Sequence, residues 1–253
     1  YLKNSSFGDK LFFYKRAGFF IKYVNKANKI YFNYKLRKKN PDIIHLTYFN
    51  EKNFYTSKAK VVVTEYDLIK EKFYSEKHQD QIEYKRKLFQ KVDQIICISN
   101  NTKKDLQNEY SIDASKISVV HIAVNKNKNF RERSLNIRPF ILYVGLRQRY
   151  KNFINAIKAY ARSNKLKLNF DFVCFGGGNF SKTEEDLFRN LLLDRSKIHY
   201  FEGDQLDLNY FYHKARIFIF PSLYEGFGIP LLEAMNMECP VICSDTSSFP
   251  EVV

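Results

Sequence analysis

Tryptophan is absent from this sequence, and proline, cysteine and methionine are scarce, with 6, 4 and 2 residues in 253. The cysteines, at positions 97, 174, 239 and 243, form no CxxC pair, and no histidine stands at metal-ligand spacing from them. This pattern argues against both a disulfide framework and a zinc site. We therefore expect reduced thiols, as in the cytosol.

Long hydrophobic runs are also missing. Every apolar run is interrupted by charge well before the roughly 20 residues that a membrane-spanning helix requires. No signal peptide is recognisable either. The sequence therefore predicts neither a membrane span nor a secreted product.

Acidic residues are too few to balance the basic ones: 27 Asp and Glu stand against 42 Lys and Arg, giving a net charge of +15. Such an excess indicates an anionic partner, either a membrane surface, a nucleic acid or a phosphorylated substrate. The abundance of Lys, Asn, Ile, Phe and Tyr without Trp is also what AT-rich coding produces. Charge alone therefore does not choose the partner.

The basic excess is concentrated in residues 1–39, where eleven Lys or Arg accompany one acid, Asp9. Residues 11–24 predict a helix with a broad apolar face, and residues 30–36 continue it or form a second helix. Two interpretations stay open. The segment is a core-packing helix with a solvated basic face, or that face docks on anionic lipid at the inner side of the cytoplasmic membrane.

The rest of the chain alternates short apolar runs with longer amphipathic segments, which predicts parallel βαβ order. The predicted strands are 42–46, 60–64, 92–99, 116–124, 140–144, 170–175, 198–201 and 217–220. The predicted helices are 81–91, one that begins at Thr102 and can be capped by Ser99 or by residues 100–102, 152–161, 183–193 and one that starts near Pro230. Because residues 125–138 are polar and lack apolar periodicity, we interpret them as a linker between domains at 1–124 and 139–253.

The strand at 217–220 leads into the segment with the clearest chemistry. Gly226 and Gly228 are expected to adopt positive φ and to let the backbone approach a ligand, and Pro230 suits the first turn of a helix. A helix N-terminus after such a loop suits a phosphate. Glu225 at the loop and Glu233 one turn into the helix are placed to accept hydrogen bonds from hydroxyl groups. Nucleotide sugars combine both chemical features.

Residues 225–233, EGFGIPLLE, resemble the E-x7-E motif of the family 4 retaining glycosyltransferases with the GT-B fold. The flanking Pro221-Ser222, the cysteine and proline at 239 and 240, and the segment 247–251 resemble the same family. The resemblance implies two Rossmann-like domains with parallel sheets facing a cleft. It also implies glycosyl transfer with retention of configuration, and we expect this chain to lack both ends of the family's fold.

The resemblance also assigns residues. The segment after Gly145 matches the family's basic pair, in which Lys151 is clear while Arg147 and Arg149 compete for the arginine, and Tyr150 stands where many members have arginine. The catalytic candidates are Glu225, Lys151, Arg147 and Asp67. The donor-binding candidates are Arg149, Gly226, Phe227, Gly228, Glu233, Tyr66, Gly177, Gly203, Asp204 and Gln205.

The Tyr66-Asp67 pair resembles a mannosyltransferase-like subset, which implies GDP-mannose as donor; a UDP-sugar, carrying glucose, galactose or N-acetylglucosamine, is the alternative. A glycan or lipid-linked acceptor of O-antigen, capsule or exopolysaccharide assembly is implied as well. Because no Asp-x-Asp motif occurs, and Glu-x-Asp at 65–67 and 202–204 matches non-metal segments, we expect no metal site and no cofactor besides the donor. We expect a cytoplasmic protein, peripheral at the membrane if residues 1–39 dock there.

Two rival functions belong to other classes. A single-strand nucleic-acid binder would use the basic, aromatic segment 1–39, but would have no use for the paired glutamates. A catalytically inactive interaction protein would be expected to lose Glu225, Glu233 or Lys151, and all three are present. We therefore expect an enzyme, without a nucleic-acid partner.

Overall fold

The computed structural model describes residues 30–31, 34–35, 38–47, 58–126 and 128–253. The predicted helix at 11–24 and most of the basic segment 1–39 lie outside the described residues. The chain divides into two compact units, Tyr1–Val63 and Thr64–Val253. The predicted boundary at the linker 125–138 stays a prediction.

The first unit contains two neighbouring parallel strands, β1 (Ile43–Leu46) and the start of β2 (Lys60–Glu65). Ile43 pairs with Lys60 and Leu46 with Val63. The β-branched side chains of β2 favour the pleated conformation, and Val63 is completely buried. Both predicted strands are confirmed to within one residue.

The second unit begins with a helix, α1 (Ile69–Tyr74), followed by α2 (Gln79–Lys91), β3 (Gln94–Cys97), α3 (Asn100–Tyr110) and β4 (Ile117–Val119). Strands β3 and β4 are parallel. Ser99 caps α3, because its hydroxyl accepts a hydrogen bond from the Thr102 amide at 2.9 Å. Ser99 was among the predicted caps, and the helix begins two residues earlier than predicted. The strands predicted at 92–99 and 116–124 are shorter than expected.

A second parallel sheet fills the rest of this unit. Its strands are β5 (Phe140–Val144), β6 (Asp171–Phe175), β7 (Ile198–Phe201), β8 (Ile217–Phe220) and β9 (Val241–Cys243). Their order is β7-β6-β5-β8-β9. The order reverses between β5 and β8, so the loops after these two strands diverge to opposite faces and leave a crevice where ligands bind in such sheets.

Helices cover both faces of the second sheet: α4 (Phe153–Arg162), α5 (Asn164–Asn169), α6 (Lys182–Asn190), α7 (Gln205–Lys214) and α8 (Ile229–Asn236). One apolar core lies between the sheet and α7 and α8, around Leu142, Phe211 and Leu231. The other, around Ile157 and Phe188, lies against α4 and α6. Because the central strand β5 is covered on both sides, it forms a continuous apolar run.

The sequence did not predict α5 or α7. Helix α7 buries the three consecutive aromatic residues Tyr210, Phe211 and Tyr212. Three aromatic residues in a row are typical of a strand, and the helix forms because a capping box starts it. The Asp204 side chain accepts from the Asp207 amide, and the Asp207 side chain accepts from the Asp204 amide.

Among the residues that the structure describes, no helix is both long and apolar enough to cross a membrane.

Candidate functional site

The loops after β5 and β8 bring Lys151 and Glu225 together at the crevice. The Lys151 ammonium donates to Glu225 Oε1 at 2.6 Å, and the two side chains are 17 % and 12 % exposed. The ammonium also lies 5.6 Å from the centre of the Phe220 ring at the end of β8. A lysine and a carboxylate predicted from separate motifs, 74 residues apart, are therefore direct partners.

Two serines hold the backbone of Glu225 in place. The Ser247 hydroxyl donates to the Glu225 carbonyl at 2.6 Å and accepts from its amide at 3.2 Å. The Ser248 hydroxyl, which is fully buried, donates to the carbonyls of Glu225 and Phe227 at 3.0 and 2.9 Å. The sequence offered these serines only as part of a family pattern, because nothing near Glu225 signals a partner 22 residues away.

The glycines of this loop have different roles. Gly228 has φ +109° and directly precedes α8, where Pro230 stands in the first turn, as predicted. The positive φ predicted for Gly226 is wrong, since its backbone is not in the left-handed region. A Cβ built on Gly226 would lie 1.8 Å from the Tyr66 carbonyl oxygen. Glycine is needed at 226 because another backbone segment passes against it.

That segment is the loop after β2, which carries Tyr66 and Asp67. The Asp67 carboxylate accepts from the Ile69 amide at 3.0 Å, at the start of α1. The Asp67 Cβ lies 3.0 Å from the position that a Cβ on Gly226 would occupy. The Tyr66 side chain is 40 % exposed. The structure therefore places this pair beside the Glu225 loop, at the carboxyl end of a parallel strand.

Tyr224 fastens the two loops to each other and to α3. Its hydroxyl donates to Asp105 Oδ2 at 2.9 Å and accepts from the Leu68 amide at 3.3 Å. Thr102 adds a second link from α3, because its hydroxyl donates to the Gly226 carbonyl at 3.2 Å. Sequence reasoning missed these residues, since a tyrosine and a helical aspartate carry no signal that identifies them as partners.

The two arginines between which the sequence did not choose lie in different surroundings. The Arg147 side chain is 4 % exposed and pairs with Glu184. Arg149 is exposed, and its guanidinium lies 5.6 Å from the centre of the Tyr74 ring. Gly177 lies in the turn after β6 with φ +78°, and a Cβ there would lie 2.4 Å from the Gly145 carbonyl oxygen.

Glu233 lies on α8, half-buried behind its N-terminus. The Tyr212 hydroxyl donates to Glu233 Oε2 at 3.4 Å. Burial raises the pKa of the Glu233 carboxyl, against hydrogen bonds from Tyr212 and Gln205 that favour the charged form. The Gln205 side chain donates to Asn209 Oδ1 at 3.0 Å, within α7.

The other candidates in this region have structural partners. Asp204 caps α7 and forms an ion pair with Arg131 at 2.8 Å. A Cβ on Gly203 would lie 2.3 Å from Asp207 Oδ2. The Phe227 side chain is 5 % exposed. Whether any of these contacts a donor stays a prediction.

Together these groups provide a cation, the N-terminus of α8 and two carboxylates at one end of a parallel sheet. The cation and the helix amides are suited to a diphosphate. The Glu225 and Glu233 carboxylates are suited to hydroxyl groups on either side of it.

Two family profiles match the chain: the glycosyl transferases group 1 over residues 125–253, and glycosyltransferase family 4 over residues 8–128. The O-antigen chain mannosyltransferase RfbU of Salmonella typhimurium is 31 % identical over 162 residues, covering 63 % of this chain and 44 % of the relative. The O-antigen chain mannosyltransferase B of Escherichia coli is 27 % identical over 195 residues, covering 69 % and 50 %. The chain thus spans about half the length of these relatives.

Solved structures show the same fold. A glycosyltransferase of Rickettsia africae aligns with a TM-score of 0.65 at 23 % identity, covering 91 % of this chain and 65 % of that protein. HepE of Anabaena, solved with UDP and glucose, aligns with a TM-score of 0.69 at 15 % identity, covering 87 % and 64 %. The predicted fold, two parallel-sheet α/β domains of GT-B type, is confirmed. Because the profile of the glycosyl transferases group 1 matches residues 125–253, more than half of the chain, the chain belongs to this family.

Proposed function

We propose that this protein transfers a mannosyl group from GDP-mannose to a glycan or lipid-linked acceptor during assembly of a bacterial surface polysaccharide. The observation that carries this proposal is the Lys151–Glu225 pair at the crevice, 2.6 Å apart, in front of the helix that bears Glu233. The named functions of the two O-antigen mannosyltransferases support the choice of mannose. So does a segment of 47 residues that is 47 % identical to the serotype-specific mannosyltransferase WbdA of Escherichia coli.

The reaction requires stabilisation of negative charge on the departing nucleoside diphosphate. Lys151 supplies a positive charge from the loop after β5, and the amides at the start of α8 supply oriented dipoles. Both are fixed before the reaction, so they need not reorganise as charge develops. From the family, we infer that the sugar is transferred with retention of configuration at the anomeric carbon.

The two glutamates serve different parts of the donor in this proposal. Glu225, held by Ser247 and Ser248, accepts hydrogen bonds from hydroxyls of the transferred sugar. Glu233, farther along α8, accepts from the ribose hydroxyls. We assign Asp67, in the loop that passes Gly226, to the acceptor side.

A UDP-sugar is the second candidate donor. HepE holds UDP and glucose in the solved structures and has a TM-score of 0.69 to this chain. An N-acetylgalactosaminyltransferase of Campylobacter jejuni that acts on a diphospho-undecaprenol acceptor is 30 % identical over 165 residues. That relative also favours a lipid-linked acceptor.

The experiment is a thermal-shift panel on the purified protein with GDP, GDP-mannose, UDP, UDP-glucose, UDP-N-acetylglucosamine and dTDP-glucose, followed by product analysis with the stabilising donor. We expect GDP and GDP-mannose to raise Tm most, and Lys151→Met to abolish that response. A response restricted to uridine nucleotides would establish the second candidate. No response to any nucleotide, from a folded protein, would refute both donors.

We also propose that residues 1–39 hold the protein at the inner face of the cytoplasmic membrane. At about 1 kcal/mol per basic residue near an anionic surface, three or four engaged lysines are enough for reversible attachment. Flotation with anionic vesicles should recover the protein at low salt and lose it at high salt. Equal recovery with neutral vesicles would leave only the core-helix interpretation of this segment.

A further inference from the structure

The Arg147 guanidinium makes four hydrogen bonds within the protein. Its Nε donates to Glu184 Oε1 at 2.6 Å, and its Nη1 donates to the Gly176 carbonyl at 3.1 Å. Its Nη2 donates to the carbonyls of Gly178 and Asn179 at 2.7 and 3.0 Å. All three nitrogens are therefore engaged within the protein.

Aromatic rings enclose the same group. The guanidinium carbon lies 4.9 Å from the Phe180 ring centre and 5.9 Å from those of Phe153 and Tyr200. With 4 % of the Arg147 side chain exposed, little of the guanidinium is accessible to a phosphate. Arginine is suited to this place because its planar fork can serve several carbonyls at once.

The partner of Arg147 is itself fixed. Glu184 completes a capping box at the start of α6: its Oε2 accepts from the Ser181 amide at 2.7 Å and from the Ser181 hydroxyl at 2.8 Å. The ion pair therefore joins the loop after β5 to the first turn of α6. Between them lies the glycine turn 176–178.

That turn needs an external support. All three glycines have positive φ, between 75° and 80°. Glycine loses more conformational freedom on folding than any other residue, so ordering three of them in one turn is costly. Gly177 also passes so close to Gly145 that a Cβ would lie 2.4 Å from the Gly145 carbonyl oxygen. A shift of the turn therefore moves the loop that leads to Lys151.

We propose that Arg147 is a positioning residue, which holds the glycine turn against the loop after β5 with Glu184 as its partner, and not a ligand of the donor diphosphate. The inference rests on the proposed function, because it assigns roles within that donor site. Lys151 is then the cation of this loop that meets the diphosphate. Arg147 acts through the shape of the turn.

The test compares nucleotides that differ by one phosphate. Calorimetric titration with GDP and GMP, or with UDP and UMP if the panel selects uridine, is carried out on the wild type, Arg147→Lys, Arg147→Met and Lys151→Met. Arg189→Met, which removes an exposed arginine of α6, is the matched control. A positioning role predicts that the Arg147 variants weaken both nucleotides by about the same factor, roughly tenfold, because the turn shifts when it loses the hydrogen bonds to its carbonyls. Lys151→Met should weaken the diphosphate selectively.

A second measurement does not depend on a ligand. Unfolding of Arg147→Met, Glu184→Gln and the double variant should show strong non-additivity, since either single change breaks the same ion pair. Amide hydrogen exchange at 176–179 should speed up in each of them and stay unchanged in Arg189→Met. Additive unfolding effects with unchanged exchange would overturn the proposal.

The outcomes separate the two claims. If Arg147→Lys or Arg147→Met loses diphosphate affinity while monophosphate affinity is kept, Arg147 is a phosphate ligand and the inference is wrong. If the wild type binds no nucleotide, the proposed function fails, and the stability cycle and hydrogen exchange still decide the positioning role.

Discussion

Replacement of Gly226 by alanine tests whether two backbone segments must touch at this site. The φ of Gly226 is outside the left-handed region, so alanine suits its backbone conformation. At such a position without steric conflict, alanine would stabilise the protein by about 0.4 to 1 kcal/mol. Here the added Cβ would lie 1.8 Å from the Tyr66 carbonyl oxygen and 2.8 Å from the Tyr66 carbonyl carbon.

The clash can be relieved only by moving the backbone. Ordinary contact begins near 3.4 Å, so the loops after β2 and β8 must separate by about 1.6 Å. Such overpacking costs about 1 to 3 kcal/mol. The separation would also strain the hydrogen bonds from Thr102 to Gly226 and from Leu68 to Tyr224. Because misplacement of about 1 Å can cost a hundredfold in rate, we expect kcat/KM to fall by about 100-fold.

The assays are chemical denaturation and steady-state transfer of the sugar. Gly178→Ala is the comparison: its φ is +80° with nothing within 4 Å of the added Cβ, so it carries backbone strain of about 1 to 2 kcal/mol without a clash. Tyr66→Ala should not rescue Gly226→Ala, because the clash is with the Tyr66 main chain. Wild-type stability and activity in Gly226→Ala, or rescue by Tyr66→Ala, would refute the reasoning.

Three further predictions concern charged groups. Glu225→Gln should lower kcat by roughly 10- to 150-fold without weakening the binding of a nucleoside diphosphate, because it removes the counter-ion of Lys151 but no positive charge. Glu233→Gln should chiefly raise the donor KM, by a similar factor. If kinetics and nucleotide titration show the opposite pattern, the two assigned roles are reversed. Transfer should continue in EDTA, since Lys151 and the α8 amides carry the charge stabilisation, and activity lost in EDTA and restored by Mn²⁺ or Mg²⁺ would contradict this. Burial raises the pKa of Glu65 from 4.5 to about 8, although the charge of Lys85 acts to lower it. Between these two pH values the native state holds a proton that the unfolded state releases, so the free energy of unfolding should fall as pH rises through this range. Lys85→Met should lower the free energy of unfolding by about 3 kcal/mol, and by more at high pH than at low pH, when denaturation is measured against pH. A pH-independent loss would exclude a role for the Glu65 carboxyl.

The sequence by itself determined the element types wherever an apolar run had a length and flanks that suit only one structure. The strands 140–144, 198–201 and 217–220 were predicted with their observed bounds. The Ser99 cap and the helix start near Pro230 were also predicted, because capping and proline geometry act within a few residues. The family followed from the linked pattern around residues 225–233.

Tertiary structure decided which of the predicted residues meet and why some are needed. Gly226 is glycine because the Tyr66 backbone passes it, and only folding brings these loops together. Helix α7 formed despite three consecutive aromatic residues, because a capping box and two-sided burial outweigh local preference. The choice between Arg147 and Arg149 also required the fold. Identical side chains two residues apart differ only in their surroundings, and those surroundings come from segments 29 to 37 residues away in sequence.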